Sequence, residues 1–244
     1  MTEQQKATGL VAWVGYLGIT VLLLLPLSVL TVRSGVWQQG LLLYAIACLG
    51  AAILLLLAAL LLLLPKFRNS RRAIGQRMLY VVPGTVLLLT MVAGGGDIPP
   101  IHDISTDTAN PPTFNAAVQA RGEGSNSLET NPETVAQQLA AYPDLEPLSS
   151  ALPAGQAFDT ALAVGQAMGW EIIAQDKAGG IIEAVDTTAI MAFKDDVVIR
   201  ITASGSGSVI DLRSVSRVGV SDLGANAKRI RAFIEQFNSA AAAS

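Results

Sequence analysis

Residues 1–96 contain three long runs of apolar residues, at about 8–32, 41–64 and 78–93. A helix needs about 20 apolar residues to cross the hydrocarbon core of a bilayer. The first two runs exceed that length without a charged residue, whereas the third is shorter and contains Pro83-Gly84. Membrane helices tolerate Pro and Gly when neighbouring helices satisfy the freed backbone groups. We therefore predict a three-span transmembrane anchor.

The charges divide the chain into a basic part and an acidic part. Residues 1–96 carry a net charge of +6 and residues 97–244 a net charge of −9. The loop at 65–77 has five positive charges and no acid, so the positive-inside rule places it in the cytoplasm. This predicts a multi-pass protein of a bacterial inner (plasma) membrane, with a cytoplasmic N-terminus and a periplasmic C-terminal domain.

Residues 97–130 are rich in residues that break regular structure. Two Pro-Pro pairs, at 99–100 and 111–112, exclude a regular helix, and we predict an extended linker here. The linker holds the only histidine, His102, beside Asp103. A metal site normally needs three or more ligands. We therefore expect no metal and no cofactor.

Residues 131–238 carry the helical and strand patterns of one domain. A short helix is predicted after Asn131-Pro132, and a second, amphipathic helix precedes the strands. The last helix is predicted over about 222–237 with Ser221 as its N-cap. Residues 239–244 are expected to form a disordered tail.

Four strands are predicted between the second and the last of these helices. They lie at about 170–175, 180–187, 196–203 and 209–215, and two of the connections are short and Gly-rich. The order of elements predicts a membrane-anchored α+β protein. Its soluble domain would be a four-stranded antiparallel sheet packed by helices on one face.

The last two predicted strands separate apolar from charged residues. In the run VVIRI at 197–201, the apolar residues at odd positions face away from Arg200, and Asp211 and Arg213 share a face of the next strand. If helices cover the apolar face, these charged residues lie on an open face. They would form either a solvated lattice of ion pairs or a binding surface.

A dense motif follows in the C-terminal part of the chain. The segments FKDDVVIRI, from Phe193, and DLRSVSRVGVSDLGANAKRI, from Asp211, resemble a bacterial and plastid family called domain of unknown function 1499. That family has an F-x-D-D strand and a run R-S-x-S-R-x-G-x-S-D-x-G-x-N-x-x-R-I. The resemblance covers about 98–238 and is strongest over 190–231. It implies a fold and no reaction, because the family carries no established activity.

The family motif contains most of the residues that we take as candidates for a functional site. Residues leading into the last helix would suit an anion site at a helix N-terminus. Alternatively, Asp222 would pair with Arg217 or Arg200 and lock strand to helix. The candidate binding residues, or members of a structural ion-pair network, are Asp195, Asp196, Arg200, Asp211, Arg213, Ser216, Arg217, Ser221, Asp222, Asn226 and Arg229.

Three functions are compatible with these patterns. The first is a binding or interaction module, such as an accessory subunit of an envelope complex, whose partners are membrane lipids and a membrane or periplasmic protein. The others are a hydrolase that uses carboxylates and Arg, and a lipid-handling protein. Asp195 and Asp196 are strand neighbours that point to opposite faces, so they are not expected to form a catalytic pair. The acidic outer part disfavours nucleic acid as a partner.

Overall fold

The computed structural model describes residues 3–94 and 98–243. They form two compact units, one built from the N-terminal helices and one from the residues that follow. The first unit contains helices α1 (Glu3–Arg33), α2 (Trp37–Leu63) and α3 (Arg71–Gly94), with a 3-10 helix at Pro65–Ser70 before α3. Among the described residues, these three helical stretches are long and apolar enough to cross a membrane.

Helix α3 is longer than the predicted third span and runs through Pro83 without interruption. The helix stays continuous because it packs closely against α2. A Cβ atom on Gly84 would lie 2.7 Å from Cβ of Ala51, so the missing side chain lets the two helices approach closely. Small residues at helix contacts are typical of membrane bundles. Large apolar side chains such as Leu56 and Leu63 point outwards, as a lipid-facing surface requires.

The second unit is an antiparallel sheet with helices on both sides. Its strands are β1 (Asp103–Ser105), β2 (Leu148–Ser150), β3 (Glu171–Asp176), β4 (Ile181–Thr187), β5 (Lys194–Ser204) and β6 (Gly207–Ser216). Its helices are α4 (Ala116–Ala120), α5 (Pro132–Ala141), α6 (Ala154–Ala167) and α7 (Ala225–Ala242). The strand order is β1-β6-β5-β4-β3, and β2 also pairs with β6.

The sheet therefore has six strands, and the prediction of four was wrong. The four predicted strands correspond to β3–β6, with ends that differ by one or two residues. The two additional strands have three residues each and pair along the same edge of β6, with β1 at 213–215 and β2 at 208–210. A three-residue strand is too short to show alternation, so the sequence pattern does not reveal it.

The helix face of the sheet, which α6 and α7 cover, holds the main core. Ile199 on β5 and Leu212 on β6 are buried there, together with Phe233 of α7. The Phe233 ring stacks between Trp170 and Phe237, at centroid distances of 5.6 and 6.1 Å. The alternation along β5 and β6 thus places Ile199 and Leu212 under the helices, as predicted.

The loop face of the sheet, on the opposite side, is also covered. Phe114 and Ala117, from the segment around α4, pack on Val198 and Val215. We predicted 97–130 as an extended linker, but this segment contains β1 and α4 and packs on the sheet. The helices are therefore not confined to one face. The reason is a set of long-range polar contacts, described below, that composition alone does not reveal.

Both ends of α7 differ from the prediction. The helix begins after Gly224, whose φ of +80° ends the preceding loop, rather than at 222 after a Ser221 cap. It continues to Ala242, so most of the predicted disordered tail is helical. Ala241 packs against the main core, which gives this alanine-rich end a reason to stay helical.

Candidate functional site

The first polar cluster lies on the helix face, where β4 and β5 meet α7. Asp195 is 3% exposed, and its Oδ2 lies 2.5 Å from Nη2 of Arg229. Arg229 also donates from Nε to Asp186 on β4, at 2.6 Å. This arginine therefore has two carboxylate partners and ties α7 to two strands of the sheet.

Asn226 is the centre of the same cluster and is fully buried. Its amide nitrogen donates to the backbone oxygen of His102 at 2.9 Å and to Oγ of Ser216 at 3.0 Å. Its amide oxygen accepts from Oγ of Ser214 at 2.7 Å and from Nη1 of Arg229. The side chain thus uses both ends of its amide to join β6, α7 and the chain before β1. These contacts hold α7 against the sheet, which is a structural role.

The loop before α7 is held by Asp222. Its two carboxylate oxygens accept from the backbone N–H groups of Gly224 at 2.8 Å and Asn226 at 2.9 Å. Ser221 accepts from the N–H of Leu223 at 3.2 Å. Asp222 therefore caps the helix itself and forms no ion pair with Arg217 or Arg200. The helix N-terminus is occupied by the chain's own carboxylate.

The environment of Asp222 shifts its proton affinity. Burial raises the pKa of this carboxyl above its ordinary value, and the negative charge of Asp195 acts in the same direction. The hydrogen bonds from Asn226 and Gly224 oppose the shift because they favour the ionised form.

The second cluster lies on the loop face. Arg200 donates from Nη2 to Asp211 at 2.8 Å and to Asp107 at 2.9 Å. Its Nη1 donates to the backbone oxygen of Asn110 at 3.0 Å. Asp211 is 4% exposed. The structure places Arg200 beside Asp211, and the chain after β1 covers this part of the face.

Arg213 extends this cluster towards β1. It holds Asp103 with two parallel hydrogen bonds, Nε to Oδ1 at 2.9 Å and Nη2 to Oδ2 at 2.7 Å. Nη2 also donates to the backbone oxygen of Leu128 at 2.8 Å. Its guanidinium lies over the ring of Phe114 at 5.5 Å. One side chain of the family motif thus fastens both ends of the segment that we predicted as a linker.

Asp196 is the acceptor at the centre of a third group. Asp196 is fully buried and lies on the loop face. Its strand neighbour Asp195 lies on the helix face, so the two carboxylates point to opposite faces, as predicted. Arg217 donates from Nη2 to Oδ1 at 2.7 Å and from Nε to both oxygens. Nε of Arg121 lies 3.1 Å from the other oxygen, as an ion pair without hydrogen-bond geometry.

Arg121 is incompletely bonded, unlike the arginines around it. Its side chain is only 6% exposed, and the buried atoms Nε and Nη2 donate no hydrogen bond. Burial lowers the pKa of this guanidinium, and the positive charges of Arg217 and Arg213 lower it further, while Asp196 and Asp103 raise it. Arg121 and Arg217 thus share the one carboxylate of Asp196, which leaves one positive charge in excess around Asp196.

Helix α4 is positioned by a buried carboxylate. Glu183 on β4 is 1% exposed and accepts from the backbone N–H groups of Asn115, Ala116 and Ala117, at 2.8–2.9 Å. The first turn of a helix has free N–H groups, and a carboxylate there satisfies them. Glu183 therefore holds α4 on the loop face and, with it, Arg121 at the end of α4.

A cavity of about 540 Å³ opens beside α4. Arg121 and Arg213 line it together with Phe114, Val118 and Leu128. Two carboxylates, from Glu123 and Glu129, also line it, and both residues are exposed to solvent. The cavity thus combines an incompletely bonded cation with apolar side chains.

The sequence indicated some of this site and missed the rest. It identified Arg213, but none of Asp103, Asp107, Arg121 and Glu183 was a candidate. Three of these four lie in the predicted linker, and Glu183 lies in a strand with no motif around it. The available signal was the two acidic residues that follow the first Pro-Pro pair, Asp103 and Asp107. Arg200 and Arg213 share a predicted face, and both need carboxylate partners.

The comparisons with known proteins agree with the sequence motif. A family model described as "Protein of unknown function (DUF1499)" matches residues 103–237. The chain belongs to this family. The match includes β1 and α4, so the DUF1499 domain takes in most of the predicted linker. Within the described residues, the chain thus combines a domain of unknown function with three helices that are apolar enough to cross a membrane.

Other comparisons add little about function. No curated protein matches the chain. A solved structure described as "Crystal structure of Ara h 8.0201" is similar over 41% of this chain and 96% of its own, at 11% sequence identity. Its TM-score of 0.24 is too low to indicate a shared fold. Within residues 3–94 and 98–243, no group of three or more His, Cys, Asp or Glu is placed to hold a metal ion.

Proposed function

We propose that the chain is a membrane-anchored binding protein whose DUF1499 domain takes an anionic ligand in the cavity beside α4. The observation that carries the proposal is Arg121, a lining residue of the cavity whose buried Nε and Nη2 donate no hydrogen bond. Buried donors without acceptors cost free energy of folding. A bound oxyanion would supply the missing acceptors and the missing negative charge.

We further propose that the helices anchor the protein in a bacterial inner membrane, with the N-terminus in the cytoplasm and the domain in the periplasm. The five positive charges between α2 and α3 support this orientation. In this proposal, membrane lipids contact the apolar helices, and a membrane or periplasmic protein is the partner in an envelope complex. The net negative charge after residue 96 argues against nucleic acid.

The orientation is tested by labelling introduced cysteines in intact cells. Ser206 lies in the exposed turn between β5 and β6, and Arg72 is exposed at the start of α3. In a Cys48→Ser background, a maleimide that does not cross the inner membrane is expected to label Ser206→Cys and to spare Arg72→Cys until the cells are lysed. Labelling of Arg72→Cys alone in intact cells would show the opposite orientation.

The role of Arg121 is tested by comparing stability with and without its charge. Arg121→Gln is expected to raise the free energy of unfolding of the unliganded domain by about 1 kcal/mol, because it removes a buried cation that donates no hydrogen bonds. This corresponds to a rise of about 3 °C in the melting temperature of the full-length protein in detergent.

Arg217→Gln is the matched control for this measurement. Arg217 contacts the same carboxylate, Asp196, but with full hydrogen-bond geometry, so this change is expected to lower the melting temperature. If Arg121→Gln lowers it by the same amount, Arg121 is a structural residue and the proposed binding function loses its support.

Hydrolysis by carboxylates has less support than binding. Asp195 and Asp196 are each held by arginines, and Asp222 is bonded to two backbone N–H groups. A general acid or base must exchange its proton with a substrate within hydrogen-bond reach. These three carboxylates are instead directed at partners within the fold.

A further inference from the structure

We propose that the ligand of the cavity beside α4 is a single-chain amphiphile with one carboxylate head and an apolar tail. This proposal rests on the anion-binding function proposed above and adds the chemical class of the ligand. Four features of the cavity carry it: the geometry of the free donors, the charge balance, the apolar lining and the volume.

The free donors suit a carboxylate. Nε and Nη2 of Arg121 lie on one edge of the planar guanidinium and donate no hydrogen bond. Two parallel N–H groups on one edge match the two oxygens of a carboxylate. The neighbouring Arg213 already binds Asp103 in this way, so the same face of the domain shows the geometry that a ligand carboxylate would adopt on Arg121. Both nitrogens are buried, and Nε lies 3.1 Å from Oδ2 of Asp196, so the guanidinium must turn towards the cavity before this edge can bind a ligand.

The charge balance favours one negative charge over two. Arg121 and Arg217 share the one carboxylate of Asp196, while Arg213 is paired with Asp103. A ligand with a single charge completes this balance. A phosphate monoester carries about −1.5 to −2 at neutral pH, and it would face the carboxylates of Glu123 and Glu129 at the same cavity.

The rest of the lining suits an apolar tail. Phe114, Val118 and Leu128 contribute side chains to the cavity. Val118 is 57% exposed in the structure, and covering it with a tail would remove apolar surface from water. The volume of about 540 Å³ lies within the range of roughly 300–1,000 Å³ for sites that take small organic ligands.

The test measures binding of radiolabelled octanoate to the full-length protein in nanodiscs of uncharged lipid, with empty nanodiscs subtracted. Saturable binding is expected, and it should tighten from hexanoate to decanoate by up to about fourfold for each methylene group buried. Arg121→Gln is expected to weaken octanoate binding by at least about tenfold, because a charge-assisted bidentate contact is lost. Octanol, which has the tail without the charge, is expected to show no saturable binding.

Two further variants locate the site. Val118→Asp places a carboxylate on the exposed apolar side of the cavity and is expected to weaken octanoate binding. Arg231→Gln is the matched control, since Arg231 is an exposed arginine that pairs with Asp144 away from the cavity lining. Octanoate binding by Arg231→Gln should equal that of the unchanged protein. An equal loss in Arg231→Gln would show that general surface charge is responsible, which overturns the proposal.

The remaining outcomes separate the ligand class from the proposed function. If acetate binds as tightly as octanoate in an Arg121-dependent manner, the amphiphile is overturned while anion binding stands. If octyl phosphate binds more tightly than octanoate, the carboxylate head is overturned and anion binding again stands. If octanoate binds Arg121→Gln unchanged, if octanol binds as tightly as octanoate, or if no probe binds saturably, both proposals fall.

Discussion

Arg229→Met is expected to lower the free energy of unfolding of the DUF1499 domain by about 3–5 kcal/mol, the cost typical of removing one partner of a buried ion pair. Asp195 would keep its charge in a site where it is 3% exposed. Asn226 and Ser214 would each lose a hydrogen-bond donor. Methionine is close to arginine in length, so the loss reflects charge and hydrogen bonding rather than an empty space.

The measurement is urea or thermal unfolding of the full-length protein in detergent. Trp170 lies in the main core and stacks on Phe233, so its fluorescence follows the domain. Arg231→Met, two residues further along α7, is the control. The Arg231–Asp144 pair is about half exposed on both sides, and such pairs contribute about 0–1 kcal/mol. Equal effects of the two changes would contradict the buried role of Arg229.

Asp196→Asn is the second change with a large expected effect, again about 3–5 kcal/mol of destabilisation. The substitution removes the only carboxylate that Arg121 and Arg217 contact in the structure described here. Two buried guanidiniums would then repel each other without a shared counter-charge. The amide of asparagine accepts fewer hydrogen bonds than a carboxylate and carries no charge.

A double variant distinguishes this electrostatic explanation from general disruption. Adding Arg121→Gln to Asp196→Asn removes one of the two repelling charges, so Arg121→Gln is expected to stabilise the Asp196→Asn variant by more than the gain of about 1 kcal/mol expected in the unchanged protein. The coupling free energy of the two changes gives the size of the interaction. Simple additivity of the two single effects would show that Arg121 and Asp196 do not interact.

The two halves of this chain differ in how far local patterns predict their structure. Apolar runs predict the helices of the anchor, because a membrane-spanning helix satisfies its own backbone and needs only length and composition. Alternation predicts β3–β6 and the faces of β5 and β6, because the side-chain period of a strand is fixed. The family motif at 193–230 identified Arg213, Arg217 and Arg229, which the structure places in ion pairs.

Local sequence patterns do not predict the structure of the segment 98–130. Its Pro-Pro pairs and glycines predict no regular helix, but the segment contains the five-residue helix α4 as well as the three-residue strand β1. Its order comes from single contacts across the sheet, namely Asp103 with Arg213 and Glu183 with the first turn of α4. These residues are separated by 110 and 66 positions, and no local period records such a pairing.

The sequence by itself determined the three apolar helices, the acidic character of the part that follows, the antiparallel order of β3–β6 and membership of a family. These properties follow from composition, periodicity and a motif, which act over short distances along the chain. Only the tertiary structure decided that the predicted linker covers the loop face, which the sequence predicts to be open. It alone also decided that Arg121 is buried with too few hydrogen-bond acceptors. Burial and charge balance are sums over residues far apart in the chain, so they exist only once the sheet has brought those residues together.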